Sequence, residues 1–133
     1  MKKQHITLTL PVKMDSVTEI AVKQTIVAYT DSYNRVAVKG WKMARLNAVE
    51  LHHQTYYYEK ETSGLPSQLV CSARNRAVES IKSAQAKLKK GKRASCPKSF
   101  SMAVRYDKNS STIRFNTLSG TISTVLGRKN IAF

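Results

Sequence analysis

The sequence predicts an α+β fold, in which a small antiparallel β-barrel or sheet carries an inserted bundle of about three helices. The prediction rests on a change, along the chain, in the spacing at which apolar residues recur. Residues 4–12 and the region after residue 99 alternate apolar and polar residues, as half-buried strands do, whereas the apolar residues between them recur every three or four positions, as in amphipathic helices. A lone N-terminal strand is marginal, so we expect it to pair with a C-terminal meander. The predicted β-domain comprises residues 1–13 and 99–133, and the helical recognition lobe comprises residues 14–98.

The first strand is predicted from residues 4–12. Its alternating apolar positions are expected to face inward: Ile6, Leu8, Leu10 and Val12. Pro11 cannot donate a ladder hydrogen bond, which favours an edge position or a strand end.

The first helix is predicted to begin at Ser16–Glu19, which has the spacing of a capping box, with Asp15 beside the helix N-terminus. Gly40 is predicted to end the helix. Its buried stripe follows the helical period: Val22, Ile26, Tyr29, Tyr33 and Val36.

After a basic linker, a second helix is predicted from about Asn47 to Lys60. Its expected buried residues are Leu46, Val49, His53 and Tyr57. His52 and His53 point about 100° apart on a helix, and no acid or Cys completes a ligand set, so no metal site is predicted. The tyrosines of Tyr56–Tyr58 can stack on bases, or one can face the core with two at its rim; the sequence leaves both open.

A third helix is predicted from Leu65 onward, with Pro66 in its first turn. The apolar positions form one stripe: Val70, Ala73, Ala77, Ile81, Ala84 and Leu88. A polar flank carries Ser67, Cys71, Arg74, Asn75, Lys82 and Lys89, and the opposite flank carries Arg76 and Lys87. Seven Lys or Arg and no acid occur from Lys82 to Lys98, and such a basic edge suggests a phosphate backbone as partner.

The C-terminal region is predicted to form a meander. A strand is predicted at 101–106, with the side chains of Met102, Val104 and Tyr106 on its inward face. Asp107–Ser110 is predicted to be a turn. A second strand, Thr112–Leu118, is expected to face Ile113 and Phe115 inward. After a turn at Ser119–Gly120 come a strand at Thr121–Leu126 and the start of another at Asn130–Phe133.

The charge is strongly basic, with 23 Lys and Arg against 8 Asp and Glu, a net charge of +15 and a pI near 10.1. Such a surplus favours a polyanionic partner, and we prefer nucleic acid to an anionic membrane. No apolar run approaches the roughly 20 residues of a membrane span, and the start has no signal-peptide core, so we expect a cytoplasmic protein. Cys71 and Cys96 are expected to be free thiols, and no cofactor is predicted.

Three segments resemble one family in order: LHHQTYYYEKETSGLPSQLVCSARNRAVESIKSAQ, then PKSFSMAVRYDKNSSTIRF after a basic spacer, then TLSGTISTVLGRKNIAF. Together they are similar to the N-terminal half of TnpB-like proteins. These are transposon-encoded, OrfB-type RNA-guided nucleases related to type V CRISPR effectors. The resemblance covers residues 51–133, and residues 4–50 fit only the general plan.

The resemblance implies a wedge-type β-domain with a helical recognition lobe that grips structured guide RNA and contacts duplex DNA, while base pairing reads the sequence. The family's motif-reading surface corresponds to Ser67, Gln68 and Cys71. The chain stops at Phe133, before the family's nuclease half, and its eight acids are scattered, so no catalytic residue is predicted. The missing C-terminal nuclease half is a possible partner.

The expected function is therefore nucleic-acid binding without catalysis. The expected contact residues are Ser67, Gln68, Cys71, Arg74, Lys82, Lys87, Lys89, Lys90, Lys92, Arg93 and Tyr57. The alternative is a non-catalytic protein-interaction or regulatory module that retains the fold.

Overall fold

Three helices and then three strands follow one another along residues 3–133, the part of the chain that the computed structural model describes. The elements are α1 (Ser16–Trp41), α2 (Ala48–Ser63), α3 (Ser67–Lys89), β1 (Ser111–Arg114), β2 (Ser119–Thr124) and β3 (Gly127–Ala132). The strands form an antiparallel sheet in the order β1-β2-β3. The predicted α+β class is confirmed, and the sheet is open rather than closed into a barrel.

The helices pack around one core, with α1 and α3 in the most extensive contact. In α1, the predicted positions Tyr29, Tyr33 and Val36 are buried, while Val22 and Ile26 are half-buried. The stripe of α3 is buried from Val70 to Ile81, but Leu88 is 45% exposed. The last two turns of α3 therefore extend past the core.

α1 begins at Ser16, as predicted, but its capping interaction and its predicted C-terminal end require correction. The N-cap is Asp15, whose Oδ1 accepts a hydrogen bond from the Thr18 N–H at 2.7 Å, rather than a Ser16 capping box. Gly40 does not end the helix, which continues to Trp41. A Cβ on Gly40 would lie 2.7 Å from Cδ1 of Ile81, so this glycine permits close approach of α3 rather than termination.

The predicted buried face of α2 is wrong. Val49 is 66% exposed, Tyr57 is 81% exposed, and His53 is exposed, while Leu46 is half-buried. The buried residues of this helix are Leu51, Thr55 and Glu59. Two of these are polar, so the pattern of apolar residues indicated the wrong face of α2 as buried. The predicted start is correct, because Asn47 is the N-cap, and the helix ends before Gly64, which has φ 69°.

The predicted N-terminal strand is also wrong. Residues 4–12 have no strand conformation, and Ile6 and Leu8 are 81% and 66% exposed. Pairing with β3 is limited to Lys13 and Ala132, whose N–H groups donate to each other's carbonyl oxygens at 2.6 and 2.9 Å. In this antiparallel register, residues before Lys13 run beyond the end of β3, so they have no strand to pair with there.

Residues 96–106, which we call the strap, lie along α1 and α3. The strand predicted at 101–106 is wrong, but its alternation is correct, since Met102 is buried and Val104 and Tyr106 are half-buried. Side chains satisfy the strap backbone in place of a ladder. Thr30 Oγ1 accepts from the Met102 N–H at 3.0 Å, and Ser72 Oγ donates to the Arg105 carbonyl at 2.7 Å.

The turn at Asp107–Ser110 is confirmed, with Asp107 Oδ1 accepting from the N–H groups of Asn109 and Ser110. The inward orientation predicted for Ile113 and Phe115 is wrong, because they are 55% and 63% exposed.

The predicted turn at Ser119–Gly120 is part of β2. The sheet meets α1 at the hairpin that follows β2, where Thr124 is buried and the Val125 N–H donates to Thr25 Oγ1 at 3.1 Å. The exposed large apolar side chains of this region are Ile113, Phe115, Leu118 and Leu126.

Candidate nucleic-acid interface

The exposed end of α3 is closed by a tight reversal of the chain. Gly91 has φ 76°, its N–H donates to the Leu88 carbonyl at 3.0 Å, and the Lys92 N–H donates to the Lys87 carbonyl at 3.0 Å. This pair of bonds is a Schellman motif, in which glycine adopts the left-handed conformation without steric cost. The motif turns residues 92–98 back along the helix that they have just left.

The returning chain and α3 enclose a groove of about 710 Å³, which we call the basic groove. Its cationic side chains are Lys87, Arg93 and Lys98, and Ser80, Ser83 and Ser95 add three hydroxyl groups. Ammonium and guanidinium groups pair with phosphate, and hydroxyl groups donate hydrogen bonds to its oxygens. The groove therefore offers donors of the kinds that hold a phosphate backbone.

Among the residues that line the basic groove, Glu79 is the single acid. Arg105 donates to both of its carboxylate oxygens, at 2.9 and 3.0 Å. These hydrogen bonds hold the pKa of Glu79 below its ordinary value. Because Glu79 is already neutralised by Arg105, its charge does not cancel that of the groove cations.

The predicted basic residues at this end lie together. Lys82, Lys87, Lys89, Lys90, Lys92 and Arg93 are all exposed, and within residues 3–133 none of them takes part in an ion pair. Lys98, absent from the predicted contact set, is exposed and lines the same groove. The cationic end of α3 and the returning segment thus carry seven exposed cations, of which Lys87, Arg93 and Lys98 line the basic groove.

Arg74 lies apart from those cations and already has partners. Its guanidinium contacts Nδ1 of His52 and donates to Asn75 Oδ1 at 2.8 Å. Desolvation lowers the pKa of His52, and the positive charge of Arg74 adds to this effect. Arg74 therefore joins α2 to α3, and the phosphate contact expected of it stays a prediction.

Of the three residues expected to read bases, Gln68 and Cys71 line one groove and Ser67 does not line it. Ser67 Oγ accepts a hydrogen bond from the Tyr56 hydroxyl at 2.9 Å. Exposed Gln68 and half-buried Cys71 line a separate groove of about 380 Å³, together with Tyr106 and Asp107. Tyr57 projects from α2 and is 81% exposed.

Sequence reasoning missed the serine hydroxyls of the basic groove and the side chain of Phe100, which is 99% exposed. The glycine at position 91 was the available signal for a chain reversal. It could not show where the returning chain would lie, because that depends on Asn34, which bonds the backbone of Ser99 from 65 positions away.

Within residues 3–133, no group of three or more His, Cys, Asp or Glu side chains is arranged to hold a metal ion. Across the same residues, no helix combines the length and apolarity that a membrane crossing requires. Comparisons with protein-family models, with curated proteins and with solved structures found no match to this chain.

Proposed function

We propose that this chain binds nucleic acid, with the phosphate backbone held by the basic groove and the exposed end of α3. The observation that carries the proposal is the groove itself, where Lys87, Arg93 and Lys98 converge with serine hydroxyls while the neighbouring acid is bound by Arg105. A solvated helix face spreads its charges outward. Here the chain reversal instead brings cations from two segments to one concave surface.

The dimensions suit a backbone of several phosphates. From Lys82 to Lys89 the helix rises about 10 Å, at 1.5 Å per residue. Each strand of a duplex carries a phosphate about every 3.4 Å along the axis, so this length matches about three phosphates of one strand. The returning segment adds Arg93 and Lys98, which line the basic groove with Lys87 of the helix.

We further propose that the ligand is structured RNA with adjoining duplex DNA, as in TnpB-like proteins, and that the chain binds it in the cytoplasm without cleaving it. The order of the three segments that resemble this family, together with the net charge of +15, supports this finer proposal. RNA recovered with the purified protein and identified by sequencing would test it. A defined transposon-end RNA is the expected result, whereas unrelated cellular RNA in proportion to abundance would contradict it.

Fluorescence anisotropy with a labelled RNA hairpin tests nucleic-acid binding itself. If six to ten phosphates are neutralised, the affinity should fall about 10³- to 10⁵-fold between 50 and 200 mM salt, because binding releases condensed counterions. An affinity that stays constant over this range would contradict the proposal.

A pair of charge variants tests the location of the site. Lys87→Glu with Arg93→Glu should weaken RNA binding at least tenfold, since each reversal places a negative charge in the basic groove. The matched control combines Lys108→Glu with Arg114→Glu, which removes the same charge at exposed positions near the sheet. Equal losses in the two variants would show that net charge, and not the groove, determines affinity.

A second function, protein interaction, is favoured by the apolar side chains that the fold leaves exposed. Ile6, Leu8 and Phe115 are each more than 60% exposed, and the rings of Phe115 and Phe133 meet edge to face with centroids 6.2 Å apart. Exposed apolar side chains of this kind are typical of association surfaces. Light scattering should then show a mass that rises with concentration and falls back in an Ile6→Glu, Leu8→Glu variant; a constant monomer mass would contradict this function.

A further inference from the structure

We propose that Phe100 is a base-stacking residue, and that the nucleic acid in the basic groove therefore has an unpaired nucleotide at this position. The inference rests on the proposed nucleic-acid binding and specifies its ligand further. Phe100 is 99% exposed, more than any other large apolar residue in the described part of the chain. The phenyl ring contributes nothing to the core, so its position has no explanation in the packing of the fold.

The backbone on both sides of Phe100 is fixed to α1. The Asn34 side chain makes two hydrogen bonds to Ser99: Nδ2 donates to the carbonyl at 2.8 Å, and Oδ1 accepts from the N–H at 2.9 Å. On the other side, Met102 is buried, and its N–H donates to Thr30 Oγ1 at 3.0 Å. A ring whose backbone is already ordered loses little conformational entropy when it makes a contact.

Phe100 is close to the phosphate-binding cations. Lys98 lines the basic groove, and two residues of chain span at most about 7 Å between Cα atoms. An aromatic ring beside a basic groove is the combination that binds single strands, because the groove follows the backbone while the ring stacks on a base.

The charge around Phe100 decides between possible partners. A purely apolar protein surface would gain nothing from the cations that adjoin the ring, whereas a nucleotide uses both the charge and the flat face. In a duplex the base faces are already stacked on one another, so only an unpaired base can cover the ring. We therefore expect single strands, or the loop of a hairpin, to bind more tightly than a blunt duplex of the same length.

The test measures binding of a labelled 12-nucleotide single strand and of the matching duplex to wild type and to Phe100→Ala. Stacking on one base corresponds to about a 5- to 150-fold change in affinity. We expect a loss in this range for the single strand, with little change for the duplex. Phe115→Ala is the matched control, since Phe115 is also an exposed phenylalanine but directly follows β1, and it should leave both affinities unchanged.

A Phe100→Trp variant gives an independent readout, because stacking should restore affinity and quench tryptophan fluorescence when the single strand is added, beyond any change seen from Trp41 in wild type. Urea unfolding checks that each variant is folded. If wild type binds no nucleic acid, the proposed function fails and this inference fails with it. If wild type binds with the expected salt dependence but Phe100→Ala binds the single strand equally well, or loses both ligands equally, only the stacking inference is overturned.

Discussion

At the scale of single residues, the most buried acid of the fold accounts for an error in reading the sequence. Glu59 has 2% of its side chain exposed and accepts three hydrogen bonds from Arg35 on α1, at 2.7 to 3.0 Å. The fork of the guanidinium satisfies both carboxylate oxygens, which makes burial of the charge tolerable. A carboxylate is therefore one of the three buried residues of α2, on a helix face that hydrophobic periodicity assigned to solvent.

Tyr106 carries a pH prediction at the same scale. Burial raises the pKa of Tyr106 to about 12, and its hydroxyl donates to the Ser123 carbonyl at 2.8 Å. In the unfolded chain this phenol would ionise near pH 10. The stability that the protonated phenol gives to the folded state is therefore fully present below pH 10 and is lost as the pH rises through about 12. We expect a loss of about 1 kcal/mol, after allowance for solvent screening at a half-buried site.

Urea unfolding between pH 9 and pH 11.5 measures this contribution. The fall in stability should be smaller in Tyr106→Phe than in wild type, because the variant has no phenol to ionise at that position. Absorbance at 295 nm, compared between wild type and Tyr106→Phe, should place the ionisation of this phenol near pH 12 in the folded protein. Identical pH profiles for the two proteins would contradict the prediction.

At the scale of secondary structure elements, Gly40 sets how closely α1 approaches α3. Alanine in a helix interior is favoured over glycine by about 1 kcal/mol, but here its Cβ would lie 2.7 Å from Ile81 Cδ1 and 3.2 Å from Leu51 Cδ2. Overpacking a tight core costs about 1–3 kcal/mol, so Gly40→Ala should be destabilising by about 1 kcal/mol on balance.

A double variant separates the gain in helix propensity from the cost of overpacking. Ile81→Val removes the Cδ1 methyl that the new Cβ would meet, so Gly40→Ala in that background should become neutral or stabilising. Urea midpoints of the four proteins in this cycle give the coupling. If Gly40→Ala changed stability by the same amount in wild type and in the Ile81→Val background, contact with α3 would not be the reason for glycine.

The elements differ in how far the sequence could predict them. The three helices follow from their local patterns, and the buried residues of α3 from Val70 to Ile81 match their period. The faces of α2 and of the strands depend on distant partners, such as Arg35 for Glu59. The strap alternates like a strand yet bonds to side chains of α1 and α3, which no local pattern encodes. The run of cations was visible, whereas its folding into a groove depends on Gly91 and Asn34.

At the scale of the whole molecule, the excess of positive charge lowers the stability of the free fold but raises its affinity for the proposed nucleic-acid ligand. Within residues 3–133 there are three ion pairs, and two of them are largely exposed, so most cations have no compensating acid. In the free protein these cations repel one another, and folding brings them closer. Salt weakens this repulsion, since the screening length falls from about 30 Å at 0.01 M to about 10 Å at 0.1 M.

The folded state of the free chain should therefore become more stable as NaCl rises from 10 to 200 mM, over the range in which RNA affinity falls. Urea midpoints measure the first effect and anisotropy the second. The Lys108→Glu, Arg114→Glu variant has less self-repulsion, so its urea midpoint should rise less with salt than that of wild type. A wild-type midpoint that falls with salt would mean that attractive ion pairs outweigh repulsion, which would contradict this account of the charge.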